Sequence, residues 1–427
     1  MTTHQQPSAD TGSAPVADGC PAHRGTDVLG PGGAARMHSP RFQSDPADLY
    51  RTLRREHGPV APILLDGDIP AWLVLGYREV HYVTSNSELF ARDSRRWHAW
   101  DRIPADWPLL PYVFYTPSVL FKEGAEHQRR AGAITDVLSE VDLFELRADS
   151  ERVADALIDG FAGAGSAELM ADYAAQVPLR VVAGLFGLDQ AQIFDLERDM
   201  AASLDDGPGA VDAYMRIHAA MARLLERGRS RPGNDVASRM LAHPAGLEDE
   251  EIIQDMISII AAGQQPTSNW IGNTLRLMLT DDRFAVTLSG GRRSVSQALN
   301  EVLWVDTPTQ NFVGRWAARD TLLAGQRIRK GDCLVLGLAA ANTDPAVQPD
   351  FSAGSVGNQA HLSFSHGEHR CPVPAPEMAE VIARAAVEVL LDRLPDVMLT
   401  VPGSAIQWRP SIWMRGPAEL PVQFSSI

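Results

Sequence analysis

The residue types best suited to chemistry stand together in residues 361–372, near the C-terminal end of the 427-residue chain. This segment contains His366, His369 and Cys371. The cysteine comes just before a helix predicted to begin near Pro374, and the positive end of a helix dipole stabilises a thiolate. Because a thiolate is a strong metal ligand, this placement predicts a metal site at Cys371.

Three interpretations of this site compete. His366, His369 and Cys371 could supply three ligands to zinc, but the sequence has no second Cys/His cluster to supply a fourth. A structural cysteine, buried without any ligand, is the second interpretation. A thiolate bound to haem iron is the third, and it is the one that the surrounding residues favour.

The segment resembles the cysteine loop of the cytochrome P450 family, which reads Phe-Gly-x-Gly-x-His-x-Cys-x-Gly. The chain has Phe364, Gly367, His369 and Cys371 in register, and the resemblance extends from near residue 40 to the C-terminus. It implies that Cys371 binds the iron of haem b (iron protoporphyrin IX). Such a thiolate donates electron density to the iron and favours cleavage of the O–O bond of dioxygen.

The same resemblance implies the other haem contacts. Arg315 and His127 stand where members of the family bind the two haem propionates. The arginine expected four residues after His127 is Ala131, so Arg129 or Arg130 is expected to compensate, and we take Arg130. The predicted haem contacts are Cys371, His127, Arg130, Arg315, Phe364, His369, Ala262 and Gly263.

The chain departs from the family at the helix that normally carries Glu-x-x-Arg. It reads Glu301-Val302-Leu303-Trp304, so the ion pair that helps to lock the cysteine loop cannot form. Trp304 is expected to fill the space by packing, because a hydrophobic replacement of a buried ion pair can be neutral or stabilising. Glu301 then needs another partner.

The long helix also departs from the family, which reads Ala-Gly-x-Glu/Asp-Thr where protons are delivered. Here the sequence is Ala262-Gly263-Gln264-Gln265-Pro266-Thr267, and the internal proline predicts a kink. Gln265 cannot act as an acid, Pro266 has neither a hydroxyl nor an N–H, and Thr267 comes one position late. Either water relays the protons or the substrate takes part in their delivery. We take Gln265, Pro266 and Thr267 as the candidate catalytic residues.

Residues 92–121 are rich in aromatic side chains and interrupted by prolines. Such a stretch is either a packed surface loop or the wall of a pocket for an apolar or aromatic ligand. The candidate substrate contacts are Trp97, Trp100, Phe114, Tyr115 and, on the long helix, Ala262.

Composition limits the classes of function. Lys and Arg number 38 against 54 Asp and Glu, and the net charge of −16 argues against a nucleic-acid-binding surface. Three cysteines cannot form a disulfide framework. We find neither a secretory signal nor an apolar run long enough to span a membrane, so we expect a cytoplasmic protein.

The elements that must position these residues are mostly helical. Helical periodicity dominates residues 126–227, 247–278 and 375–394, whereas strand patterns are confined to a hairpin at residues 61–75 and to residues 312–338. The resemblance implies a mainly α fold with a smaller β region, in which a triangular prism of helices surrounds a buried haem.

The sequence divides into a segment predicted to be disordered and a segment predicted to be folded. Residues 1–40 lack apolar periodicity and are predicted to be a disordered tail. Residues 41–427 are predicted to form a single catalytic domain.

The resemblance implies an oxidoreductase, a monooxygenase that uses O2 and electrons supplied by a ferredoxin and its reductase. The first hypothesis is a bacterial enzyme of natural product biosynthesis, and within it the aromatic stretch and the missing acid–alcohol pair favour one class of substrate and reaction. Its substrate is predicted to be an aromatic-rich small peptide or cyclic dipeptide, joined by oxidative coupling through a C–C, C–N or C–O bond. Hydroxylation of a polyketide, steroid or other apolar substrate is the alternative. A non-catalytic haem protein in a regulatory complex is the second alternative.

Overall fold

The computed structural model describes residues 33–203, 209–285, 293–349 and 357–426, and helices dominate these ranges. The α-helices are α1 (Pro40–Ser44), α2 (Pro46–His57), α3 (Tyr77–Ser85), α4 (Leu110–Val113), α5 (Gly124–Ser139), α6 (Leu143–Phe161), α7 (Gln176–Leu185), α8 (Gln190–Ser203), α9 (Ala210–Ser230), α10 (Val236–Ala242), α11 (Asp249–Thr280), α12 (Asp282–Ala285), α13 (Arg293–Val305), α14 (Leu338–Asn342) and α15 (Pro374–Arg393). The predicted mainly α fold with a smaller β region is confirmed.

The β region consists of three small sheets. The strands are β1 (Ala35–Arg36), β2 (Val60–Leu65), β3 (Ile69–Val74), β4 (Phe90–Ala91), β5 (Ser166–Glu168), β6 (Phe312–Ala317), β7 (Thr321–Leu323), β8 (Gln326–Ile328), β9 (Cys333–Leu336), β10 (Met398–Leu399) and β11 (Pro421–Gln423). The largest sheet has the order β1-β2-β3-β9-β6-β4, and the others are β10-β11-β5 and β7-β8. The predicted hairpin is the antiparallel pair β2 and β3.

The first strand corrects the end of the predicted tail. Ala35 and Arg36 pair in parallel with Ile63 and Leu64 of β2, so the ordered chain begins before residue 40. A two-residue strand that gains its order from a distant partner has no periodicity of its own, which is why the sequence did not reveal it. Residues 1–32 lie outside the described part of the chain, and the single domain remains a prediction.

The long helix α11 is the centre of the helical part, where it packs against α7, α9, α13 and α15. It begins with a capping box in which Glu248 and Glu251 satisfy each other's backbone N–H groups. The helix continues through Pro266. Since proline has no N–H, the carbonyl of Ala262 lacks the helical donor that residue 266 would otherwise supply.

A buried asparagine joins α13 and α14 to the segment before the cysteine. The side-chain amide of Asn342 donates to the Leu303 carbonyl (2.9 Å), to Thr307 Oγ1 (3.0 Å) and to Ser363 Oγ (3.1 Å). Its Oδ1 accepts from the Leu362 N–H at 2.7 Å. Asn342 is fully buried, so these groups depend on one another for their hydrogen bonds.

We expect Asn342→Ala to lower the free energy of unfolding by about 2–4 kcal/mol, because it leaves several buried polar groups without partners. Asn86→Ala is the matched control, since the Asn86 amide donates a single exposed hydrogen bond, to the Tyr82 carbonyl. It should cost less than about 1 kcal/mol. Urea unfolding followed by circular dichroism measures both, and equal losses would contradict the role given to Asn342.

Candidate functional site

Cys371 lies in a loop, residues 361–373, that ends at the first turn of α15 and that we call the cysteine loop. The Cys371 N–H donates to the Phe364 carbonyl at 3.1 Å, which closes the loop on itself. Cys371 is half-buried as a residue, and burial raises the pKa of its thiol to about 11. The thiol is therefore presented to the interior.

The conformation of the loop requires glycine at one position. Gly367 has φ +77°, and a Cβ there would lie 2.1 Å from the Thr84 carbonyl oxygen of α3. His366, one residue earlier, stacks on His81 of α3 with ring centroids 3.8 Å apart. Helix α3 thus packs against the cysteine loop, and His366 lies on the side of the loop that contacts α3.

The structure gives the zinc interpretation no support. In the parts of the chain that are described, no group of three His, Cys, Asp or Glu side chains is placed to hold a metal ion. A metal at Cys371 would therefore have to bring most of its ligands with it, as haem iron does through its porphyrin.

Positive charge is concentrated beside the loop. Arg92 and Arg315 are 4% and 1% exposed, and neither forms an ion pair with a carboxylate in the described ranges. His127 and His369 lie with ring centroids 3.9 Å apart. Burial lowers the pKa of both histidines, and the charges of the two arginines lower that of His369 further. We call Arg92, Arg315, His127 and His369 the cationic cluster.

Several polar atoms of the cluster have no hydrogen-bond partner among the described residues. Arg315 donates from Nη1 to the Gly314 carbonyl at 3.0 Å, but its buried Nε is unsatisfied, as are His127 Nδ1 and His369 Nε2. Burial lowers the pKa of Arg315 to about 10, a sign of how poorly its charge is solvated. Buried charges are normally paired. The cluster therefore fits a ligand that brings carboxylates, and haem b brings two propionates.

One protein carboxylate lies at the edge of the cluster. Glu368 Oε1 is 3.5 Å from His127 Nδ1, and its Oε2 accepts from Ser87 Oγ at 2.6 Å. It forms no ion pair with either arginine of the cluster among the residues described. A second carboxylate, Glu123, also lies near Arg92, but it pairs with Arg96 at 2.8 Å. Neither guanidinium of the cluster therefore has a carboxylate of its own among these residues.

Arg130 does not belong to this cluster, which corrects its predicted role. Its guanidinium is fully buried, and it pairs with Asp255 of α11 through Nε (2.9 Å) and Nη2. Nη1 donates to the Pro117 carbonyl and Nη2 also to the Glu251 carbonyl. All three nitrogens are thus committed to the protein. The sequence could not reveal this, since Asp255 is 125 residues away.

The long helix reaches the cysteine loop through an aromatic contact. Trp270 of α11 meets Phe364 edge to face, with ring centroids 6.0 Å apart. About two turns earlier, Ala262 is exposed, and a Cβ at Gly263 would touch Val182 at 3.2 Å. Ala262 is thus accessible on a helix that other helices surround.

The three candidate catalytic residues follow on the same helix. Gln265 and Pro266 are half-buried, and Thr267 is 3% exposed. No residue within the described ranges forms a hydrogen bond with the Thr267 hydroxyl. By contrast, the hydroxyls of Ser258 and Thr274 in the same helix bond to the carbonyls four residues earlier.

The aromatic stretch is mainly a packed core, which corrects the prediction for Trp97. Its ring is 2% exposed and lies between Trp100, Trp107 and Trp316 at centroid distances of 5.7, 5.9 and 6.4 Å. Trp97 is therefore closed off from a ligand. An aromatic, proline-rich sequence does not distinguish a core from a pocket wall.

The other candidates in that stretch differ in exposure. Trp100 is half-buried and donates to the Ser94 carbonyl at 2.7 Å. Tyr115 is covered by the Arg95 guanidinium, 3.9 Å from its ring centroid. Phe114, at 58% exposed, is the most accessible of the four. Contact with a substrate thus remains a prediction for Phe114, Tyr115 and Trp100.

The substituted Glu-x-x-Arg motif is stabilised in another way. The Trp304 indole N–H donates to the Asn358 carbonyl at 3.0 Å, and its ring meets His361 edge to face at 5.9 Å. Glu301 pairs with Arg283 at 2.7 Å. Trp304 therefore replaces the expected arginine by both packing and a hydrogen bond to the segment that leads into the cysteine loop.

Comparisons with known proteins show which proteins the chain resembles. No family model matches the chain. The vitamin D(3) 25-hydroxylase of Pseudonocardia autotrophica is 28% identical over 394 residues, which cover 90% of this chain and 95% of the relative. The mycinamicin IV hydroxylase/epoxidase of Micromonospora griseorubida is 28% identical, covering 86% and 93%. A cytochrome P450 of Mycobacterium bovis is 30% identical over 331 residues, covering 72% and 73%.

Solved structures agree on the fold. CYP154C4 from Streptomyces sp. W2061 aligns with a TM-score of 0.78 at 27% identity, covering 89% of this chain and 95% of that one. The bacillaene polyketide synthase cytochrome P450 PksS of Bacillus subtilis aligns with a TM-score of 0.79 at 24% identity, covering 91% and 99%. As far as the chain is described, it holds no helix long and apolar enough to cross a membrane.

The different roles of two neighbouring arginines on α5 can be tested directly. Arg130→Gln should lower the free energy of unfolding by about 3–5 kcal/mol, because it leaves the Asp255 carboxylate buried without a counter-charge. Arg129→Gln removes a half-exposed partner of Glu251 from the same helix and should cost about 1 kcal/mol or less. Urea unfolding compares the two variants, and a loss at Arg130 no larger than that at Arg129 would contradict the assignment.

Proposed function

The chain belongs to the cytochrome P450 superfamily, and on that basis we propose that it hydroxylates an apolar small molecule of the polyketide or steroid type in bacterial specialised metabolism. Like its relatives, it is a monooxygenase with a haem b cofactor. Two of the relatives named above are a vitamin D(3) 25-hydroxylase and a mycinamicin IV hydroxylase/epoxidase. They support hydroxylation over the oxidative coupling of an aromatic peptide, which the sequence alone had favoured.

The observation that carries the haem site is the cationic cluster beside a desolvated thiol. In this proposal Cys371 ligates the iron, and Arg315, His127 and His369 bind the propionates. Phe364 packs under the site together with Trp270, and Ala262 and Gly263 border it from α11. Bound haem supplies the activation of O2, which the thiolate promotes by donating electron density.

The protein's own part in the reaction includes moving protons from solvent to the site. Thr267 offers a hydroxyl that is free of helix hydrogen bonds, and Pro266 leaves the Ala262 carbonyl without its helical donor. Both groups can therefore bind water. This arrangement supports a relay through water in place of the acid–alcohol pair, with Gln265 as a neutral participant that can donate and accept hydrogen bonds.

The side chains next to this relay favour an apolar substrate. Ala261 and Ala262 are the exposed residues of this part of α11, and both are small and apolar. Such side chains bind aliphatic rings by contact. Electrons are proposed to come from a ferredoxin and its reductase, as the resemblance implies.

Thr267 gives the relay a specific test. Thr267→Ala should lower the product formed per NADPH oxidised by about 10- to 100-fold, with the electrons appearing as hydrogen peroxide, because a positioned proton donor is lost. Thr267→Ser keeps the hydroxyl and should retain most of the wild-type yield. Parallel assays of NADPH, product and peroxide measure the effect. An alanine variant with an unchanged yield would remove Thr267 from the mechanism.

The proposed reaction can be tested with isotopically labelled dioxygen. The enzyme, a ferredoxin, its reductase and NADPH are incubated with a panel of steroids, macrolides and aromatic cyclic dipeptides. We expect a steroid or macrolide product that has gained one labelled oxygen atom. A product that has lost two hydrogens without gaining oxygen would support coupling instead. Haem-bound protein that oxidises no member of the panel would favour the non-catalytic alternative.

A further inference from the structure

Helix α5 supplies one fewer cation to the haem site than the family pattern requires. Ala131 stands where an arginine is expected, and the neighbouring Arg130 is fully committed to Asp255. Only His127 remains from this helix. A second guanidinium must therefore come from elsewhere if both propionates are to meet an arginine.

Arg92 lies directly after strand β4, which pairs antiparallel with β6, the strand that carries Arg315. It is not part of the family resemblance drawn from the sequence. Arg92 and Arg315 lie close together, because Nη1 of each donates to the Gly314 carbonyl, at 2.6 Å and 3.0 Å. Arg92 thus belongs to the same electrostatic site as the predicted propionate ligands.

Hydrogen bonds orient the Arg92 guanidinium, but no carboxylate of the described residues forms an ion pair with it. Its Nε donates to the Leu120 carbonyl at 2.8 Å, and its Nη1 donates to the carbonyls of Val313 (3.1 Å) and Gly314 (2.6 Å). Carbonyl groups orient a cation but carry no net charge. Among the described residues, no atom accepts a hydrogen bond from Nη2, so this nitrogen of the guanidinium is available to a ligand.

The space for this guanidinium is built into the backbone. Gly314 has φ +112°, and a Cβ at that position would lie 2.2 Å from Arg92 Nη1. The Phe312 ring covers the guanidinium, with its centroid 5.0 Å from Cζ. In the same loop, Glu123 accepts the backbone N–H groups of Arg92 and Asp93. A chain that only needed an arginine at the surface would not require such a site.

We infer that Arg92 binds a haem propionate and takes over the part of the arginine that α5 lacks. This inference rests on the proposed function, because it requires that haem occupies the site. Two guanidinium groups then face two carboxylates, and Arg315 and Arg92 each gain a counter-charge. The competing explanation is that Arg92 only joins residues 120 and 313–314 through their carbonyls.

A cycle that changes both the protein and the porphyrin separates these explanations. Wild-type enzyme and Arg92→Gln are each reconstituted with haem b and with haem dimethyl ester, whose propionates cannot carry charge. The rate of haem loss to excess apomyoglobin is then measured for all four complexes. Arg96→Gln is the control, since Arg96 is an exposed arginine of the same loop that pairs with Glu123.

With haem b, we expect Arg92→Gln to lose haem about 10- to 100-fold faster than wild type, the effect of one charge-assisted hydrogen bond. With the dimethyl ester the two proteins should differ by less than about threefold. Arg92→Lys, which keeps the charge but not the fork, should be intermediate with haem b. Arg96→Gln should match wild type with both porphyrins.

The same acceleration with both porphyrins would overturn the inference and leave Arg92 a purely structural residue. No acceleration with haem b would overturn it as well. These results differ from a failure of the proposed function, in which wild-type protein would take up neither porphyrin stoichiometrically.

Discussion

Two guanidinium groups are buried beside the cysteine loop, and no carboxylate of the described residues is bonded to either. Transferring an ion from water into a protein interior costs several kcal/mol, even after relaxation. The fold can keep Arg92 and Arg315 in this position only if another interaction compensates for this free energy of desolvation. Haem with its propionates can do so, so that it contributes to the stability of the fold as well as to its chemistry.

The chain lacks the ion pair of the Glu-x-x-Arg motif and replaces it with a local substitute. Where an ion pair is expected, Trp304 packs against His361 and donates a neutral hydrogen bond to the Asn358 carbonyl. Asn342 adds further bonds to the same region. A buried ion pair is often no more stable than a well-packed replacement, so the loss of the arginine at position 304 does not require the loss of the haem site.

The sequence predicts those parts of the site that depend on local pattern. Cys371 is recognised because it precedes a helix in a segment of fixed spacing, and Trp304 by its place in a motif. By contrast, the partnership of Arg130 with Asp255 and the proximity of Arg92 to Arg315 join residues more than 100 positions apart. Such contacts follow from tertiary packing and leave no mark on periodicity.

Errors of the opposite kind arise where a pattern has two physical meanings. The sequence predicts Trp97 in a pocket wall because aromatic residues line pockets, but the same side chains also fill cores. The predicted tail ends too late, at residue 40, because β1 acquires its order from β2. In both cases the local pattern is genuine, but it does not contain the tertiary neighbour that decides between its two meanings.

The proposed haem site depends on one bond, from the sulfur of Cys371 to the iron. The absorption spectrum of the ferrous carbonyl complex tests it most directly, because the position of the main band reports the axial ligand. The wild-type protein should show the long-wavelength band of a thiolate complex, and Cys371→His should shift it to that of a globin. A globin-type band from wild-type protein, or a protein that stays colourless when supplied with haem, would contradict the account.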